Sequence, residues 1–193
     1  LVLIAATGHR TRQQFQFEPS HISVDNKLIL LADKLCFDEA AVRLVPLASI
    51  AIDVFATFAK TARRLSENIL NPDVRQHLRQ KEFWQDGLDE PFFTQVVGEK
   101  YQVVTAQDIQ QFLKLFGFEL PLNSFRHRLS SRLSELNAHD GSQWFLGHIA
   151  GGEHPLNMLS AMSMSDISKL SGYMDEAIAP LKIMIPSALK TNG

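Results

Sequence analysis

The chain has 193 residues, 45% of them hydrophobic and 21% charged, with 19 Lys and Arg against 21 Asp and Glu. That is the make-up of an ordinary globular protein, with enough apolar material for a core that needs no disulfide or metal. The net charge of −2 excludes a strongly basic, histone-like nucleic-acid binder, but not a DNA site made of a few well-placed cations. The single cysteine, Cys36, cannot form an internal disulfide and fits an intracellular, cytoplasmic protein. The longest apolar stretch, residues 44–59, is interrupted by Asp53 and is too short and mixed to span a membrane. The apolar start, residues 1–6, has no basic segment before it and makes a poor signal peptide. It reads as the end of a buried helix, so the chain is expected to be part of a larger protein.

In chain order, residues 1–6 are expected to end a helix that Gly8 breaks or turns. Residues 20–24 and 27–32 read as short strands around the turn Asp25-Asn26. Residues 42–47 read as a third strand, with Arg43 and Pro46 marking it as partly exposed or at an edge. The three are expected to form a small antiparallel sheet, with Lys34 in the turn between the second and third. A long amphipathic helix follows from Ser49 to about Ile69, with apolar residues near helical spacing. Asn71-Pro72 has the pattern of an N-cap followed by proline at the first helical position, opening a helix to about Lys81. Gly87, Pro91 and Gly98 punctuate residues 82–104, where 101–105 have strand character. Thr105 and Asp108 form a capping-box pattern, with Asp in place of the usual Glu, for a helix ending near Gly117. Further helices are expected over 122–136, 142–146 and 165–178. The expected fold class is α+β, mostly helical with one small sheet near the N-terminus.

Three clusters carry chemistry: Thr7-Gly8-His9-Arg10; Asn123-Ser124-Phe125-Arg126-His127; and Leu146-Gly147-His148, with Tyr173 downstream. Tyr101 and Tyr173 are the only tyrosines. With Lys34 and the run Arg43-Leu44-Val45-Pro46-Leu47, their order resembles the catalytic domain of the tyrosine recombinase, or phage integrase, family. That family opens with a Thr-Gly-x-Arg helix end and continues with a three-stranded sheet that carries a lysine. It then has a second box, His-x-Leu-Arg-His, and Leu-Gly-His before a tyrosine nucleophile. Each motif alone is weak; their shared order across nearly the whole chain is fairly specific.

The resemblance implies a site made of Arg10, Lys34, Asn123, Arg126, His148 and Tyr173. Breaking a phosphodiester through a phosphotyrosine needs a nucleophile, charge stabilisation on the nonbridging oxygens and a proton for the leaving 5′ oxygen. Arg10 and Arg126 suit the phosphate oxygens, because guanidinium grips them bidentately. His148 would add a hydrogen bond to the same phosphate, Lys34 would protonate the leaving oxygen and Tyr173 would attack phosphorus. A free tyrosine has a pKa of about 10, so nearby cations must favour the phenolate as the bond forms. The arginines fill the role of a metal, so no divalent ion or cofactor is expected. Expected partners are double-stranded DNA and further copies of the chain, as a tetramer on DNA, with no membrane and with a nucleoid location in a bacterium. The resemblance implies that residues 1–193 are the catalytic domain, with the separate N-terminal DNA-binding domain usual in the family expected to belong to the parent protein and to lie outside this chain.

The chain departs from the family at three places. Asn123 stands where histidine or lysine is usual, and an amide can donate to phosphate but cannot take the tyrosine proton. The spacer from His148 to Tyr173 is long and contains Gly151-Gly152, Pro155 and a run of methionines. Residues 60–104 also exceed the minimal core, and their basic stretches, 60–64 and 75–81, read as solvated helix faces or DNA-backbone contacts. His127 is implied to be a buried structural residue. A catalytically decayed DNA-binding or assembly module, supported by Asn123, stays open as an alternative. So does a type IB topoisomerase-like enzyme, which shares the chemistry. His148, Glu153 and His154 match no standard metal-site spacing.

Overall fold

The computed structural model describes residues 2–8, 18–36, 39–87, 90–119, 121, 123–136 and 164–181; for 2, 32–36, 39–43, 164–169 and 181 it describes the backbone only. The chain divides into two compact units, residues 1–11, 23–52 and 120–183, and residues 12–22, 53–119 and 184–193. Mostly helical, with a small three-stranded antiparallel sheet near the N-terminus, it is an α+β fold.

In the first unit, α1 (Val2–Thr7) is short and buried through Leu3, Ile4, Ala5 and Ala6. Thr7 turns its hydroxyl back onto the Leu3 carbonyl at 2.7 Å. Gly8 then takes φ +58°, and its N–H donates to the Ile4 carbonyl at 3.0 Å. That left-handed residue closes the helix, a conformation glycine adopts without the Cβ penalty.

The sheet order is β1 (Ile22–Ser23), β2 (Leu28–Cys36), β3 (Glu39–Pro46). Asp25 and Asn26 lie in the turn before β2, and Lys27 there has φ +51°, uncommon for a residue with a Cβ. The central strand β2 buries Leu28, Ile29 and Leu31, which alternate across both faces. Pro46 pairs with Leu28 at the end of β3. The sheet order makes β3 an edge strand, where a missing N–H is tolerated. The ladder runs further than the apolar pattern predicts, to Cys36 on one side and from Glu39 on the other. Backbone pairing needs no apolar face, so Asp33 and Lys34 did not end the strand.

The C-terminal helices complete this unit. In α5 (Asn123–Glu135), Arg126, Leu129 and Leu133 form the buried stripe. In α6 (Met164–Ile178), Ser171, Met174, Ala177 and Ile178 do the same. α6 packs on α1, α5 and β3, and α1 packs on α5. Leu170 of α6 joins Leu28, Leu30 and Leu44 in an apolar cluster on the sheet.

The chain passes from the first unit to the second within α2 (Ser49–Ser66). In the second unit Phe55 is wholly buried, at 5.4 Å from Trp84 in a stack and 5.3 Å from Phe92. Burying one such ring is worth about 2 to 3 kcal/mol. Phe58 adds rings Phe92 and Phe93 at 5.0 and 4.9 Å. The N-cap signal at Asn71 is realised in α3 (Pro72–Gln80): its Oδ1 accepts from the N–H of Asp73 at 2.9 Å and of Val74 at 3.3 Å. Its Nδ2 donates to the Glu99 carbonyl at 3.1 Å, tying the cap to the hairpin β4 (Thr94–Val97) and β5 (Lys100–Val103). The hairpin turns at Gly98-Glu99, with Gly98 at φ +62°, the glycine-first pattern of two-residue loops. The capping box at Thr105 and Asp108 is formed and opens α4 (Ala106–Leu115). Its hydrogen bonds to Thr105 hold the Asp108 carboxyl below its usual range.

Candidate functional site

α1 and α5 meet at the Thr7-Gly8 motif. Arg126 is 7% exposed, and its Nη1 donates to the Gly8 carbonyl at 2.7 Å, 118 positions earlier in the chain. A guanidinium buried this deeply needs directed acceptors, because an unpaired charge in the interior is costly. The bond anchors one Nη of Arg126 at the C-terminal end of α1. Two motifs far apart in sequence are thereby brought into contact.

Tyr173 lies on α6, 38% exposed. Successive residues turn by about 100° around a helix, so Tyr173 falls on one flank of the stripe centred on the buried Met174. Asn123 is exposed at the first position of α5. Lys34 is not in the turn: its backbone lies within β2, opposite Ala41, where the register between β2 and β3 shifts. The strand continues through Lys34 because the ladder extends to Cys36; its side chain lies outside the described residues. Arg10 and His148 also lie outside them, as do the Arg43 side chain, the expected helix at 142–146 and the group His148, Glu153 and His154. Among the described residues no cluster of three or more His, Cys, Asp or Glu is placed to hold a metal ion, and no helix is long and apolar enough to cross a membrane.

The expectation of a buried His127 is corrected. It is exposed, because one residue beyond Arg126 it has turned off the stripe that Arg126, Leu129 and Leu133 define.

Two polar constellations had no local signal in the sequence. In the first, Asp175 of α6 accepts from Ser49 at the start of α2, Oδ1 from its N–H at 2.7 Å and Oδ2 from its hydroxyl at 3.0 Å. Lys27 Nζ donates to the Ser49 hydroxyl at 3.3 Å. In the second, within the other unit, Lys81 is fully buried and donates to the Pro91 carbonyl at 3.0 Å, with the Glu90 carboxylate at 3.8 Å. His77 stacks on Tyr101 at 3.6 Å, shares a hydrogen bond of 3.1 Å with Thr94 and faces Glu90 at 3.4 Å. Burial, and secondly the Lys81 charge, push the His77 imidazole down to about 4. Burial pushes the Lys81 ammonium down to about 8, against the opposing pull of Glu90. His77 ties α3 to the hairpin through Thr94 and Tyr101, and Lys81 ties the turn after α3 to Glu90 and Pro91 in the segment before the hairpin.

In the basic stretches 60–64 and 75–81, Arg63, Arg75 and Lys81 are engaged within the chain, while Lys60, Arg64 and Arg79 are exposed. Arg63 pairs with Glu82, which raises the arginine's already high pKa. Arg75 donates to the carbonyls of Ile69 at 2.9 Å and Leu70 at 3.3 Å. Comparison with protein-family models, with curated proteins and with solved structures finds no match.

Proposed function

We propose that the chain is the catalytic domain of a site-specific DNA recombinase or integrase, which cuts and rejoins one strand at a time through Tyr173. The observation that carries this reading is the contact of Arg126 with Gly8. It joins two motifs whose arginines are the natural phosphate clamp, in the unit whose helix α6 carries Tyr173. In the proposed step the Tyr173 oxygen attacks phosphorus. The P–Oη bond forms, the P–O5′ bond breaks and a 3′-phosphotyrosyl link remains. Arg10, Arg126 and His148 hold the nonbridging oxygens as negative charge develops. Lys34 gives its proton to the leaving 5′ oxygen. Asn123 donates to the phosphate without removing the tyrosine proton, which passes to water. A 5′-hydroxyl from a partner strand reverses the step and releases Tyr173.

A nicked DNA duplex tests the reading, because loss of the short cleaved fragment traps the covalent intermediate. The chain is expected to form a protein–DNA adduct that survives denaturant, and Tyr173→Phe none. Adduct formation by Tyr173→Phe would overturn the nucleophile. A non-catalytic DNA-binding module is the second reading, favoured by Asn123, and DNA binding without any adduct would select it.

A further inference from the structure

We propose that Asp175 is a positioning residue for Tyr173: gripped by Ser49 at the start of α2, it sets the rotation of α6 about its own axis. The proposal rests on the nucleophile role of Tyr173 proposed above.

Leading N–H groups of a helix have no partner inside it. At α2 the N–H of Ser49 is met by a carboxylate 126 positions away in sequence, whose second oxygen accepts the Ser49 hydroxyl. The partial positive charge at that helix end favours a carboxylate there, and Lys27 supports the same hydroxyl from the turn before β2. The carboxylate is therefore held at both oxygens.

On α6, Tyr173 and Asp175 are two residues apart, so about 200° separates them around the axis. Met174, wholly buried, lies between them on the packed stripe with Ser171, Ala177 and Ile178. Apolar packing along that stripe is non-directional and tolerates a small roll of the helix. A hydrogen-bonded carboxylate on one flank does not, because its geometry is narrow in distance and angle. Side-chain ends lie roughly 6 Å from the axis of a helix, so a roll of about 10° moves them by about 1 Å. A misplacement of about 1 Å at a reacting atom can cost about a hundredfold in rate. Asp175 thus acts on the chemistry through Tyr173 and does not touch the phosphate.

The test is single-turnover cleavage of the nicked duplex at saturating DNA, well below the unfolding temperature of every variant. Asp175→Ala is expected to cut about tenfold to a hundredfold more slowly with unchanged DNA affinity. Asp175→Asn keeps an acceptor for the Ser49 N–H and is expected to recover part of the rate. The double variant Ser49→Ala/Asp175→Ala should be no slower than Asp175→Ala, because one interaction is removed once. Glu176→Ala, on the exposed side of the same helix, should cut at the wild-type rate. The proposal is overturned if Asp175→Ala and Asp175→Asn cut at the wild-type rate, or if the loss lies wholly in DNA affinity. An unchanged chain that forms no adduct overturns the nucleophile reading and this inference with it; an active chain with an indifferent Asp175 overturns the inference alone.

Discussion

Arg126 is the residue on which the two clearest motifs converge. Its position in the second box is legible from sequence; its bond to the Gly8 carbonyl is not, because no local pattern reports a partner 118 positions away. The same limit hid Ser49 and Asp175, each of which looks like an ordinary polar residue in a helix. Burial makes Arg126 costly to replace. Arg126→Ala leaves the Gly8 carbonyl without that donor, and the expected loss is about 1 to 3 kcal/mol of folding stability, read from urea unfolding. Arg126→Lys keeps the charge but loses the fork, so it should recover stability better than DNA cleavage. Equal recovery of both would mean that the arginine serves only the fold.

At the scale of elements, capping chemistry was the most readable signal. Asn71-Pro72 and Thr105/Asp108 start helices where the pattern places them, since a cap is satisfied by its own first turn. Asn71→Ala is expected to cost about 1 kcal/mol by thermal unfolding, with the added loss of the tie to Glu99. Strand ends were less legible. β4 was missed because Thr94–Val97 is short and half buried, and β2 and β3 ran past their apolar residues because backbone pairing carried them.

The contact between α3 and the hairpin makes a pH dependence. Folded His77 protonates only near 4, whereas its ordinary value is 6.5. The unfolded chain therefore binds the extra proton between those values, and stability falls as pH drops from about 6.5 to about 4. The full contribution is at most about 3 kcal/mol. Lys81 acts with the same sign at the other end: folded it releases its proton near 8 and unfolded near 10.5, so its contribution rises with pH through that window. Hydrogen exchange, corrected for intrinsic rates, should show hairpin amides losing protection on acidification. His77→Phe keeps a ring against Tyr101 and should flatten the acid limb; an unchanged slope would assign it to other groups.

For the whole molecule, the α+β class and the N-terminal sheet followed from the order of apolar patterns and turns. The division into two units within α2 did not, because the helix is continuous across it. Arg63, Arg75 and Lys81 are engaged within the chain, and the proposed function assigns the grip on DNA to the few cations of the site. For three such phosphate contacts, log affinity should fall against log salt with a slope of about −3. Fluorescence anisotropy across a salt series measures this, and a much steeper slope would place a larger basic surface on the DNA.

The central claim, that Tyr173 becomes covalently joined to DNA, is tested most directly by trapping the chain on a nicked duplex and mapping the modified peptide by mass spectrometry. The predicted result is a nucleotide remnant on Tyr173, joined through a 3′-phosphate, and no adduct with Tyr173→Phe. A remnant on any other residue, or no adduct from a chain that demonstrably binds the duplex, would contradict it.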